Sequence, residues 1–292
     1  MAAPWVGVQQ CMEHSVAGTT FLAMDKVNSG TIGPVGGDAQ YSIGAGGQAL
    51  EWRGMVAVAA SVKGELQSIG LLANSKPASL GALPPIIAKL QGGPVGETLG
   101  ARLMTSAYIT RTKISMTFEG ILNYEHDFFG LVDGAATIAS AVAKGTNTAF
   151  PWHATDVQFN TASYKVQSWD VEWYTGIEPK SSGDLKTTGV QRIPEWIQLG
   201  SFGAKMSATV RVPIAYAHDF YYDFPTKLTF KAICKNGDAT AKTFTLDCTG
   251  GSGFDMAGGQ PMEIVRATED VIFKVSGTST PNDLAVIAYT LA

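Results

Sequence analysis

A period of two dominates the pattern of apolar and polar positions. At residues 108–118, Tyr108, Thr110, Thr112, Ile114, Met116 and Phe118 fall on one face. At 164–174, Trp169, Val171 and Trp173 share a face opposite Asp170 and Glu172, and at 205–212 Met206, Ala208, Val210 and Val212 repeat the pattern. Alternation of this kind marks a strand buried on one side. Residues 55–62 add an apolar, β-compatible run.

Turn residues divide the rest. Asn236-Gly237 predicts a hairpin over 227–246, because both residues tolerate the positive φ of a type I′ turn. It joins Leu228, Phe230, Ala232 and Cys234 to Phe244 and Leu246, with 238–242 as an alternative, longer loop. A last pair, 271–275 and 284–291, is expected to meet through 277–283 and pin the C-terminus into a sheet.

One segment reads as a helix. Residues 126–144 place Phe128, Val132, Ala135 or Ala136, Ala139, and Val142 or Ala143 at helical spacing, ahead of Gly145. Gly130 and Gly134 each weaken it by about 1 kcal/mol. A shorter helical turn is expected at 84–90. Residues 28–48 and 73–100, rich in Gly and in Gly plus Pro, read as long loops of the kind that order against a partner. Residues 113–128 align without a gap on 205–220, sharing Lys, Ser, Thr, Tyr, His, Asp and Phe. A duplicated β-unit and chance likeness of two amphipathic strands both account for this echo.

Composition narrows the function classes. The 292 residues are 45% apolar, enough for a sizeable core, and only 16% charged, against roughly 25% in an average soluble domain. So little charge suits a surface that faces other protein. A net charge of −4 without a basic run argues against reading nucleic acid sequence. The longest apolar stretches, 55–60 and 284–289, fall far short of the roughly 20 residues of a membrane helix. Residues 1–10 lack the features of a signal peptide. Cys11, Cys234 and Cys248, odd in number and widely spaced, read as reduced thiols of a protein assembled in the cytoplasm.

Catalytic patterns are sparse. Cys11-Met-Glu-His14 has one ligand pair but no second at zinc-like spacing. His126 and His218, each followed by Asp, would form a His/Asp cluster if their strands met, or else turn the chain at strand ends. Gly250–Phe254 lacks the second glycine of a nucleophile elbow, and neither a phosphate loop nor a dinucleotide fingerprint is present. Asp170 and Glu172 stand about 7 Å apart along a strand, a separation at which paired carboxylates can act on a glycosidic bond. The simpler reading gives them the wet face opposite Trp169, Val171 and Trp173. Phe220–Phe224 could line a sugar groove or an interface. No catalytic, cofactor-binding or metal residue is assigned, and no cofactor is expected.

The order of elements carries a resemblance. Residues 106–120 followed by 121–134 look like the strand-then-helix segment of the tail tube proteins of long-tailed bacteriophages, and 164–176 like the strand after it. The likeness covers about half of the chain, and 292 residues exceed a minimal tube domain. It implies one mainly β domain over 1–292: a β-sandwich or barrel with one flanking α-helix, long loops and an N-terminal arm over 2–47. It also implies a non-enzymatic virion protein, assembled in the host cytoplasm, whose rings stack into a conduit for DNA. Ring hexamers or pseudo-hexameric trimers, with tape measure, tail terminator and baseplate partners, follow from it, without membrane contact or sequence-specific DNA binding. Residues 73–100 would dock on a neighbour, and a mildly acidic lumen would repel phosphate. The alternatives are a capsid-surface or decoration protein, forming trimers that do not stack, and a carbohydrate-active sandwich using Asp170 and Glu172.

Overall fold

The computed structural model describes residues 10–24, 26–36, 39–43, 49–53, 56–78, 82–94, 102–130, 132–136, 138, 148–159, 161–180, 196–198, 202–211, 228–237, 241–251, 254–258, 267–273 and 287–292. Its strands begin with β1 (Gln10–Ser15), β2 (Leu22–Ala23), β3 (Val27–Gly36), β4 (Ala39–Ile43), β5 (Ala49–Arg53) and β6 (Val56–Glu65). Next come β7 (Ile87–Pro94), β8 (Arg102–Thr117), β9 (Asn123–Gly130) and β10 (Val132–Ala135). The central group is β11 (Thr155–Phe159), β12 (Ala162–Tyr174), β13 (Glu178–Lys180), β14 (Trp196–Gln198) and β15 (Gly203–Arg211). The last are β16 (Leu228–Lys235), β17 (Thr243–Gly251), β18 (Phe254–Gly258), β19 (Ala267–Phe273) and β20 (Ile287–Leu291). The chain is mainly β, as its alternation predicts.

Sixteen strands belong to one antiparallel, branched sheet. A front layer runs β3-β6-β9-β8-β12-β15-β19-β18. Two back arms fold over it: β2-β1-β7, joined to the first half of β8, and β11-β16-β17-β20, joined to the start of β12. Small pairs β4-β5 and β13-β14 stand apart.

The core fills the space between the layers. The front layer sends in Val58, Ala60 and Val62, then Ile114 and Met116, Trp169, Val171 and Trp173, and Met206. The back contributes Phe230, Ala232 and Cys234, Phe244, Leu246 and Cys248, and Ile287. Burying each large apolar side chain stabilises the fold by about 1.5–3 kcal/mol. Trp169 packs on Phe230 at 5.5 Å and Trp173 stacks on Tyr289 at 6.4 Å, tying β12 to β16 and β20 of one back arm. Burial pushes the Cys234 thiol up to about 12 and raises Cys248 as well, so both are core residues.

Several expectations are corrected. The predicted helix is a strand through its first part, because Tyr124, His126 and Phe128 alternate inward while β6 and β8 satisfy the backbone from either side. Gly130, a defect in a helix, lets that strand approach β8: a Cβ there would collide with Met104. Residues 139–147 lie outside the described residues. The helical turn at 84–90 gives way to extended chain entering β7; the described helical turns are Leu72–Asn74 and Trp152–Ala154. Residues 28–48 contain β3 and β4, and 73–100 contain β7, so glycine-rich composition there marks strands in close contact. Within the arm expected at 2–47, β1 and β3 are instead built into the two layers, while residues 2–9 lie outside the described residues.

Smaller corrections concern register. In β8 the buried face passes from Ala107 and Ile109 to Thr112, Ile114 and Met116, because a bulge between Ile109 and Arg111 inserts a residue. Tyr108 and Thr110 therefore leave the inner face. Asn236 opens a longer loop: its backbone N–H donates to Lys242 O and its Oδ1 accepts from the Lys242 N–H. Gly237 does not adopt the left-handed conformation a type I′ turn needs. The last two strands do not pair with each other. β19 joins β15 and β18, while β20 joins β17, where Ala292 and Thr243 exchange backbone bonds of 3.0 and 2.8 Å. The C-terminus is pinned as expected, on a different strand.

Candidate interaction face on the front sheet

The outer face of the front layer carries a cluster of paired charges. Register places Lys63 of β6, Glu125 of β9, Lys113 of β8, Glu172 of β12 and Lys205 of β15 in one row across five adjacent strands. The signs alternate along it. Opposite charges on facing strands attract, each pair contributing roughly 0.2–1 kcal/mol.

Arg111 is the hub. Its Nη1 donates to Glu125 Oε1 at 2.9 Å and Asp127 Oδ2 at 2.8 Å, and its Nη2 to Glu172 Oε2 at 3.1 Å. Lys63 reaches Glu125 at 3.1 Å, and Lys113 reaches Asp170 at 3.3 Å. Partial burial opposes the charge on Glu125, but hydrogen bonds and charge from Arg111 and Lys63 outweigh it and hold the carboxyl below its usual range. For Arg111, burial is likewise outweighed by the three carboxylates, which raise its basicity. Among these described side chains three cations meet four carboxylates, so this cluster is nearly neutral.

Asp170 and Glu172 share this face, opposite buried Trp169, Val171 and Trp173, as the simpler reading expects. Each is engaged by a cation. A groove of about 530 Å³ opens beside the cluster, between Thr31 and Gly33 of β3 and Ile177, over Ala59 and Phe129, with Asp127 on its lining. Neither Asp170 nor Glu172 lines it.

The remaining candidates separate. His126 points inward, with Nδ1 2.9 Å from Thr112 Oγ1, while Asp127 points outward to Arg111. They cannot close on one ion. His218 and residues 220–224 lie outside the described residues. His14 is buried on β1, and the side chain of Cys11 lies outside the description. Among the described residues, no group of three His, Cys, Asp or Glu side chains could hold a metal ion.

The internal echo acquires a structural meaning. Lys113 and Lys205 both stand opposite Glu172, and Ser115 and Ser207 both stand opposite Asp170. Two strands flanking β12 in the same direction and register face the same requirement for a cation and a small polar residue. The hub itself escaped sequence reading. Arg111 sits just beyond the bulge, and its three partners come from two other strands. Its visible signal was a lone arginine two residues before Lys113. Comparison with known protein families finds no match, and comparison with curated proteins finds none.

Proposed function

We propose that the chain is a structural subunit of a phage tail tube, joining copies into rings that stack as a hollow conduit for DNA. The observation that carries this reading is the front layer, eight antiparallel strands wide. Among the described residues, its outermost strands β3 and β18 each pair on one side only. Exposed edges recruit further strands. Placing β3 of one copy beside β18 of the next continues the sheet, and a closed ring of such copies removes every front edge. Hexameric rings, or trimers imitating them, satisfy this, and tape measure, terminator and baseplate proteins would meet the tube ends.

The charged face suits a lining better through balance than through repulsion. With Lys63, Arg111 and Lys113 already paired with neighbouring carboxylates, this cluster leaves few cations to hold passing phosphate. The subunit would work by geometry in the virion tail, after assembly in the host cytoplasm, and would perform no chemistry.

Negative-stain electron microscopy at rising protein concentration, with mass photometry alongside, tests the proposal. Rings or tubes of uniform bore are expected. Monomers at every concentration would overturn it, and trimers that never stack would favour a decoration protein instead.

A further inference from the structure

Two buried histidines lie between the layers on different elements. His14 belongs to β1, on the same face as Met12, whose side chain lies against Gly30 of β3 and Gly92 of β7. That face looks toward the front layer. His126 lies on the inner face of β9, between Tyr124 at 5.1 Å and Phe128 at 6.1 Å. Only 6% of His14 and 1% of His126 is exposed. His14 Nδ1 is buried without a hydrogen-bond partner, and His126 Nδ1 meets the Thr112 hydroxyl.

The charges around the pair offer little to compensate a proton. Glu13, next to His14 on β1, faces the other way and accepts from Gln91 Nε2 at 2.7 Å. Glu125 and Asp127, beside His126 on β9, face outward and are held by Arg111 of β8, with Lys63 of β6 also on Glu125. Glu65 at the end of β6 is paired with Lys26. Glu125 favours a charged His126 weakly, whereas a charge on His14 opposes it.

We propose that His14 and His126 form an acid-sensitive latch: uncharged, they allow β1 to close on the front layer, and protonated, they drive β1 away from it. Each imidazole takes one proton from hydronium, forming an N–H bond at its unprotonated ring nitrogen and releasing water, with no change of oxidation state. The weaker element yields. β9 is laddered on both sides, to β6 and β8, whereas β1 has six register pairs with β7 and only two with β2. This inference does not depend on the tail tube reading.

The sign is fixed by the direction of the shifts. Burial foremost, and then the charge on His14, lowers His126 from 6.5 to about 3; burial lowers His14 as well. The closed state thus binds fewer protons than the open one. Its full stability is present above pH 6.5 and drains as pH falls toward 3.

Hydrogen exchange of the full chain, corrected for the intrinsic pH dependence of exchange, reads this directly. Between pH 7 and pH 4.5, protection in residues 10–15 is expected to fall at least tenfold more than in β9 or β12. The double variant His14→Gln/His126→Gln is expected to remove that difference. Equal loss in all three strands, or an unchanged loss in a folded double variant, overturns the latch. Should the variant not fold, an NMR titration of the wild-type imidazoles decides. Both titrating below pH 5.5 sustains the proposal, and either titrating near 6.5 in the folded protein defeats it.

Discussion

Trp173→Ala is expected to lower stability by about 3–5 kcal/mol, the range for deleting a fully buried large aromatic. The indole is wholly buried and stacks on Tyr289 with ring planes 14° apart. Its Nε1 donates to Ser75 O at 3.2 Å and to Ser75 Oγ at 3.1 Å. The same short segment holds β20 by other means. The Tyr289 hydroxyl donates to Leu72 O, and Lys76 Nζ donates to Ile287 O at 2.6 Å. Truncation would open a cavity, remove the indole donor from Ser75 and loosen the clasp on the last strand. Trp173→Phe keeps the ring while losing the donor, and should cost about 1–3 kcal/mol. Equilibrium urea unfolding measures both. An alanine variant within 1 kcal/mol of wild type would show that β12 and β20 do not bear on each other through this residue.

Arg111→Met is expected to cost about 2–3 kcal/mol at pH 7, chiefly by leaving Asp127 and Glu172 without the cation they share and Glu125 with Lys63 alone. The three are only partly exposed, at 20%, 33% and 29% of their side chains, so water compensates incompletely. The effect depends on pH. In the wild type, Glu125 is held below its usual range, so its contribution is complete above pH 4.5 and is lost on acidification. The variant lacks that contribution and also relieves its repulsion when carboxylates protonate. The difference between the two proteins should therefore shrink from pH 7 to pH 3.5. Arg111→Lys keeps one charge without the fork that spans three carboxylates, and should fall between them. A cost independent of pH would refute the electrostatic account of the face.

Where alternation is strict and one face is apolar, the fold is legible from the chain alone. Trp169, Val171 and Trp173 define β12 and its buried side, and Phe230, Ala232 and Cys234 do the same for β16. Residues 126–135 mislead because apolar residues at 128, 132 and 135 satisfy a helical spacing as well as parts of a strand. What decides between them is the pair of neighbours, β6 and β8, that local spacing cannot reveal. The long loops mislead for a related reason. At Gly30 a side chain would collide with Met12, and at Gly92 it would press tightly on Met12 and Ile32. The paired carboxylates were correctly placed on one face, yet their partners Lys113 and Arg111 lie on β8, with Arg111 just beyond the bulge after Ile109 and 61 residues from Glu172. The histidine latch combines residues 14 and 126, a juxtaposition that only the closing of two layers creates.

β8 has a mechanical consequence. Its 16 residues pass from the back arm into the front layer, laddered first between β7 and β10 and then between β9 and β12. A load along its axis would have to shear two ladders at once, with all bonds sharing the force. A load across it would peel them one pair at a time. The protein should therefore be stiff along this strand and compliant across it, with β8 acting as the member through which tension in one layer reaches the other.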